Sequence, residues 1–120
     1  MNTKQKGTLG EFRVSEYLQS EGWRIIKMNY RTKRGEIDII AEKGESLSFV
    51  EVKSWSSLDT HQLEYAIGLR KQRIIVGCAR EFIASEPKYS NYSVQFDVVL
   101  HRPCGGSPRH LQHAFTETGR

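Results

Sequence analysis

Between residues 36 and 53, two strongly apolar stretches flank a short polar turn and are themselves interrupted by charges. No other part of the chain restricts the fold as much. Glu36-Ile37-Asp38-Ile39-Ile40-Ala41-Glu42 follows the two-residue period of a strand. Ile37 and Ile39 share one face, and Glu36, Asp38 and Ile40 the other. Lys43-Gly44-Glu45 reads as a turn, and Leu47-Ser48-Phe49-Val50-Glu51-Val52-Lys53 as the next strand. Strands joined this closely form a β-hairpin. Glu51 and Lys53 are two apart and leave the same face. Asp38 lies on the partner strand with twelve residues between it and Glu51. The hairpin therefore brings two acids and a lysine together on one side of a sheet.

Charges inside apolar strands are costly to bury unless they pair or hold a cation. Two carboxylates can bind a hard cation such as Mg²⁺ through oxygen, with the Val52 carbonyl as a further ligand. A cation held there lowers the pKa of bound water and stabilises charge at a phosphate. Lys53 beside it orients that water or supports the transition state. These residue types suit metal-assisted phosphodiester hydrolysis. The plain alternative is an ion pair on a solvated strand, since Glu-x-Lys is a common strand pattern.

The remaining elements follow from periodicity and punctuation. Leu9, Phe12, Val14, Tyr17 and Leu18 predict a helix over Thr8 to Glu21, stopped by Gly22. Trp23 to Met28 reads as a strand, and Asn29 to Gly35 as a polar connection. Ser54 to Thr60 is a loop. His61 to Ser85 carries a long helical pattern, weakened at Gly68 and Gly77 and followed by Pro87. Ser93 to Leu100 is a fourth strand, and His110 to Phe115 a short last strand or turn. Pro103, Gly105, Gly106 and Pro108 make 102–109 a flexible loop. The order α-β-β-β-α-β predicts an α/β fold, a mixed sheet with helices packed on it.

The chain has 120 residues, which predicts one domain over 1–120. A net charge of +4 permits a nucleic-acid partner without requiring one. No apolar run approaches a membrane span, and no apolar segment follows the charged start as in a signal peptide. Two cysteines make neither a disulfide framework nor a four-cysteine zinc site. This predicts a cytoplasmic protein with reduced thiols, Cys78 in the core and Cys104 in a loop. His61, His101, His110 and His113 lack zinc-ligand spacing. Gly105-Gly106 lacks the Lys-Ser/Thr of a phosphate loop, and no Gly-x-Ser-x-Gly elbow occurs.

Asp38…Glu51-Val52-Lys53 resembles the PD-(D/E)XK signature of the restriction-endonuclease-like superfamily. Gly10-Glu11, Asn29-Tyr30-Arg31, Gly35-Glu36-Ile37-Asp38, Phe49-Val50-Glu51-Val52-Lys53, Lys71, Phe96-Asp97-Val98 and His110 to Phe115 resemble, in order, the bacterial YraN family. The resemblance implies a restriction-endonuclease-like mixed sheet flanked by helices, a Mg²⁺ or Mn²⁺ site and a DNA partner. It matches Asp38 and Glu51 to metal-binding acids, Lys53 to the catalytic lysine and Glu11 to an acid aimed at the metal from the first helix. A first-turn acid answering the helix dipole is the alternative for Glu11. Glu36 is a further ligand or a salt-bridge partner where the hairpin opens. Ser54-Trp55 departs from the family, which usually has Thr or Ala and then Arg. That removes a cation beside the site. Trp55 packs in a core or loop, or stacks on a base.

Arg24 to Arg34 holds five basic residues and no acid, and Arg70 to Arg80 holds four and no acid. Arg31, Arg34, Arg70 and Lys71 are the candidate phosphate contacts, with a solvated surface as the alternative. The expected function is a structure-directed or non-specific DNA endonuclease, similar to Holliday-junction resolvases, with a homodimer compatible with its small size. The rival is a nucleic-acid-binding module or adaptor in DNA repair, recombination or uptake that does not hydrolyse. The sequence does not separate DNA from RNA.

Overall fold

Gly44, at φ 61°, turns the chain so that Lys43 and Ser46 face each other across the expected antiparallel hairpin. Its strands are β2 (Glu36–Lys43) and β3 (Ser46–Ser54) in a computed structural model that describes residues 3–54, 67–103 and 105–117. β1 (Arg24–Arg31) pairs antiparallel with the outer side of β2. β4 (Ser93–His101) runs parallel to β3, and β5 (Arg109–Phe115) antiparallel to β4. The sheet order is β1-β2-β3-β4-β5. A parallel neighbour requires a crossover, and the crossover carries α2 (Leu69–Ser85). The fold class is the predicted one: a mixed α/β sheet with helices on both faces.

α1 (Thr3–Ser20) buries Val14 and Leu18 on one face, against Trp23, Ile39, Ala41, Val50 and Val99. Gly10 lets this helix come close to β4, since a Cβ there would stand 3.0 Å from the His101 ring. The opposite face is larger and aromatic. Ile75, Cys78, Ala79 and Phe82 of α2 pack there on Ile40, Leu47, Phe49, Phe96, Val98 and Leu100. Phe49, Phe96 and Phe115 stack in sequence, with ring centroids 5.8 and 5.2 Å apart. Cover on both faces explains why β3 and β4 read as nearly continuous apolar runs.

The structure departs from the sequence reading at element ends. α1 begins at Thr3, before the expected Thr8. β1 continues to Arg31, through the first three residues of the expected connection. Gly68 is extended, at φ −70° and ψ 163°, so the last helix starts only at Leu69. Glycine gains least from helix formation and supplies no capping side chain. The part of that predicted helix from His61 to Ala66 lies outside the described residues, as do Trp55 and Cys104. The last segment is a true edge strand rather than a turn. Cys78 is in the core, with Sγ 3.3 Å from Thr32 Oγ1. No described helix is long and apolar enough to cross a membrane.

Candidate functional site

Asp38 stands where β2 stops being a regular strand. Ile40 and Ile37 both join the α2-side core, while Ile39 and Ala41 join the α1-side core. Ile37 and Ile39 therefore do not share a face, contrary to the strict alternation read from the sequence. The cause lies on the neighbouring strand. Met28 pairs with Ile39 and Tyr30 with Ile37, which leaves Asn29 opposite Asp38 at φ 54°. Asparagine tolerates this left-handed conformation better than most residues.

On its other side β2 meets β3, and their last paired rung is Ile39 with Val50. One step further sets Asp38 opposite Glu51. There the Val52 N–H donates to Asp38 Oδ2 at 2.8 Å. The carboxylate takes the place of a ladder carbonyl where the strands part. An extended residue points its N–H and C=O toward the same neighbour. The Val52 carbonyl thus lies on the Asp38 side of β3.

Glu51 is only 8% exposed, with Oε1 3.6 Å from Lys71 Nζ of α2. Its Oε2 is buried with no hydrogen-bond partner among the described residues. Burial, and then the charge of Asp38, push the Glu51 carboxyl up to about 7, while Lys71 and Lys53 pull it down. Burial likewise raises Asp38, against the Val52 N–H and a hydrogen bond with Glu51. Glu11 arrives from α1. Burial and then Asp38 push it up to about 7, and a hydrogen bond from Asn29 opposes the rise. Its Oε2 is also buried without a partner. Three carboxyls from α1, β2 and β3 thus share one electrostatic field, with Lys53 and Lys71 at its margin.

This accounts for each predicted site residue. Asp38 and Glu51 stand opposite each other, with Glu11 in the field of Asp38 and Lys53 in that of Glu51. Glu36 takes the salt-bridge alternative, 3.4 Å from Arg31, so Arg31 is held by an acid. Lys71 is drawn into the acid cluster rather than spread on an open helix face. Arg34 lies 3.8 Å from Glu81 on the rim of a cavity that Arg70 also lines. The sequence reading did not assign a role to Asn29. Its only signal there was a place in the Asn29-Tyr30-Arg31 motif, because the bond to Glu11 spans two elements.

Two buried carboxylate oxygens without partners are poorly placed unless a cation or a proton joins them. Among the described residues, no three His, Cys, Asp or Glu side chains stand close enough to cage a metal ion. The set does fit Mg²⁺, which keeps several waters and needs only one or two carboxylates from the protein.

The raised carboxyl has a consequence for stability. A group whose folded value lies above its unfolded one contributes fully below the ordinary carboxylate range, and that contribution is lost as pH rises through the folded value. For Glu51 the loss runs from the ordinary range up through about 7. Urea unfolding in EDTA should therefore show stability falling by about 3 kcal/mol between roughly pH 5 and pH 8. Glu51→Gln should remove the part of that slope that Glu51 carries and leave the part that Glu11 contributes. An unchanged slope in the variant would place the titration elsewhere.

A model described as "Uncharacterised protein family UPF0102" matches residues 10–100. A UPF0102 protein of Bradyrhizobium diazoefficiens is 38% identical over 109 residues, covering 91% of this chain and 80% of the relative. One from Rhodopseudomonas palustris strain BisB18 is also 38% identical, covering 91% and 78%. A third, from Nitrobacter winogradskyi, is 38% identical and covers 91% and 90%.

Proposed function

The chain belongs to the UPF0102 family, the YraN family that its motifs resemble, and from that membership we propose a divalent-metal-dependent endonuclease of the PD-(D/E)XK type. Its substrate is the phosphodiester backbone of DNA, cut in a structure-directed or sequence-independent manner. The observation that carries this reading is the Glu51 carboxyl. It is buried opposite Asp38 where two strands part, and one of its oxygens has no partner among the described residues. A group so placed costs stability, and a structural role alone gives no reason to keep it.

On this reading Asp38 and Glu51 would hold Mg²⁺ or Mn²⁺ together with the Val52 carbonyl, with Glu11 as the further acid brought from α1. The bound cation supplies Lewis acidity and an acidified water. The chain's own groups do the rest. The Val52 N–H fixes Asp38 by donating to one carboxylate oxygen. Asn29 fixes Glu11 in the same way. Lys53, near enough to lower the Glu51 carboxyl, orients the attacking water or stabilises charge on the phosphate. Lys71 holds Glu51 in the absence of a cation.

One observation favours a second reading, a module that binds nucleic acid without cutting it. The described residues contain no three-residue metal cage, and Lys71 already balances Glu51. A cleavage panel separates the two: linear duplex, single strand, flap and four-way junction, in DNA and RNA, with Mg²⁺ and then Mn²⁺. Lys53→Ala, purified in parallel, should lose at least a hundredfold in rate. Cleavage unchanged in that variant would mean a contaminating nuclease. Binding without cleavage by the native protein would select the module.

A further inference from the structure

The β1–β2 turn lies against α2 in a way that an exposed polar turn does not require. Thr32 and Gly35 close it with backbone hydrogen bonds of 2.8 and 3.3 Å, and the Arg34 N–H donates to Thr32 Oγ1 at 3.0 Å. Two glycines make room for the contact. A Cβ at Gly35 would stand 2.5 Å from Ile74 Cγ2, and a Cβ at Gly77 2.9 Å from Arg34 Cδ. A glycine in the middle of a helix weakens it. Here it lets the stem of Arg34 lie over the helix.

The contact borders an open pocket of about 370 Å³ lined by Arg34, Arg70, Arg73 and Ile74. Arg70, Arg73, Ile74 and Gly77 follow one another at helical spacing along a single stripe. Glu81 balances Arg34 alone, at 3.8 Å. Among the described residues, neither Arg70 nor Arg73 pairs with a carboxylate. The charges also oppose the helix that carries them. The first turn of α2 has no acid, and its Gly68 cap offers no side-chain hydrogen bond. Arginines beside a positive helix end repel it unless an anion joins them.

The geometry points to a binding site for a phosphate group of a nucleic-acid strand, held by Arg34, Arg70 and Arg73. This rests on the nucleic-acid reading above and narrows it. Arg31 and Lys71 are held by Glu36 and Glu51, whereas Arg70 and Arg73 line the open pocket with no carboxylate partner among the described residues, and Arg34 joins them there from its longer pairing with Glu81. Guanidinium suits phosphate because its planar fork donates two parallel hydrogen bonds. Lys71 precedes Gln72 and Arg73 on the same helix and touches Glu51. The phosphate taken here therefore lies alongside the carboxyl cluster, on the flank facing the β1–β2 turn.

The test is binding of the full chain in EDTA, where no metal-dependent cutting intervenes. The probes are 3′-labelled oligonucleotides, single-stranded and duplex, with either a 5′-hydroxyl or a 5′-phosphate, read by fluorescence anisotropy over a salt series. Arg70→Gln/Arg73→Gln should weaken binding by about tenfold or more and reduce the salt slope by about two. Gly77→Ala keeps the charges but displaces Arg34. It should weaken binding while holding or raising thermal stability, a combination that a purely structural role does not produce. A preference for the 5′-phosphate that the double variant abolishes assigns a strand end. Uniform loss on all probes assigns an internal diester. Native-like affinity and salt slope in either folded variant would overturn the site. The nuclease reading fails separately: loss of binding in these variants, beside a native protein that cuts nothing, would leave the pocket standing and remove the enzyme.

Discussion

Replacing Asp38 by asparagine should lower Mg²⁺-dependent cleavage by about a thousandfold and leave the fold intact. The two halves of this expectation have different causes. Asp38 Oδ2 accepts the Val52 N–H at 2.8 Å, and an amide oxygen accepts the same bond. The strand junction should therefore hold. What asparagine cannot supply is the negative charge opposite Glu51. Removing that charge also relieves the repulsion that helps raise Glu51. The metal-free variant should thus match or exceed native stability above about pH 7, while its catalysis disappears. Single-turnover cleavage and urea midpoints at two pH values measure both. Native-rate cleavage by Asp38→Asn would end the nuclease reading. A collapse of stability would mean that Asp38 is kept for the fold.

Asp97→Ala should do the reverse and cost about 3–5 kcal/mol of stability through a hydrogen-bond network of its own. Asp97 is wholly buried. Its Oδ2 accepts from Ser48 Oγ and His110 Nε2, each at 2.7 Å, and from Gln95 Nε2 at 2.9 Å. Its Oδ1 accepts the His113 N–H at 3.0 Å. The pairing of β4 with β5 shifts register between Phe96 and Val98, and His113 takes φ 53° there. The carboxylate thus fills a gap that a bulge leaves in the ladder, much as Asp38 does between β2 and β3. Alanine would strand four donors, two of them buried and two half-buried. Despite the cost of burial, these bonds, led by His110, hold the Asp97 carboxyl below its ordinary range. Its contribution is therefore present above the ordinary carboxylate range and lost as pH falls through the lowered value. Equilibrium unfolding of Asp97→Ala near neutral pH and in acid measures this. A loss under about 1 kcal/mol would show that solvent or neighbours satisfy the donors.

Much of the molecule was legible in the chain because it depends on local preferences. The apolar runs of β3 and β4, the Gly44 turn and the apolar stripe from Ile75 to Phe82 needed no knowledge of partners. The hairpin alone placed Asp38, Glu51 and Lys53 within reach of one another, since antiparallel strands on a short turn have little freedom of register. What tertiary structure decided lies at contacts between distant segments. Asn29 and Asp38 break the alternation together, and neither residue alone announces it. Lys71 reads as one more cation in a basic run until α2 sets it 3.6 Å from Glu51. Asp97 is one acid in an apolar strand until Ser48, His110 and His113 converge on it. Gly77 looks like a flaw in a helix until the Arg34 stem lies across it. Backbone sterics and side-chain period are carried by neighbouring residues, so the sequence alone determined the elements and the hairpin triad. Which charge meets which acid depends on how whole elements pack, and only the assembled sheet and the helices packed on it decided that.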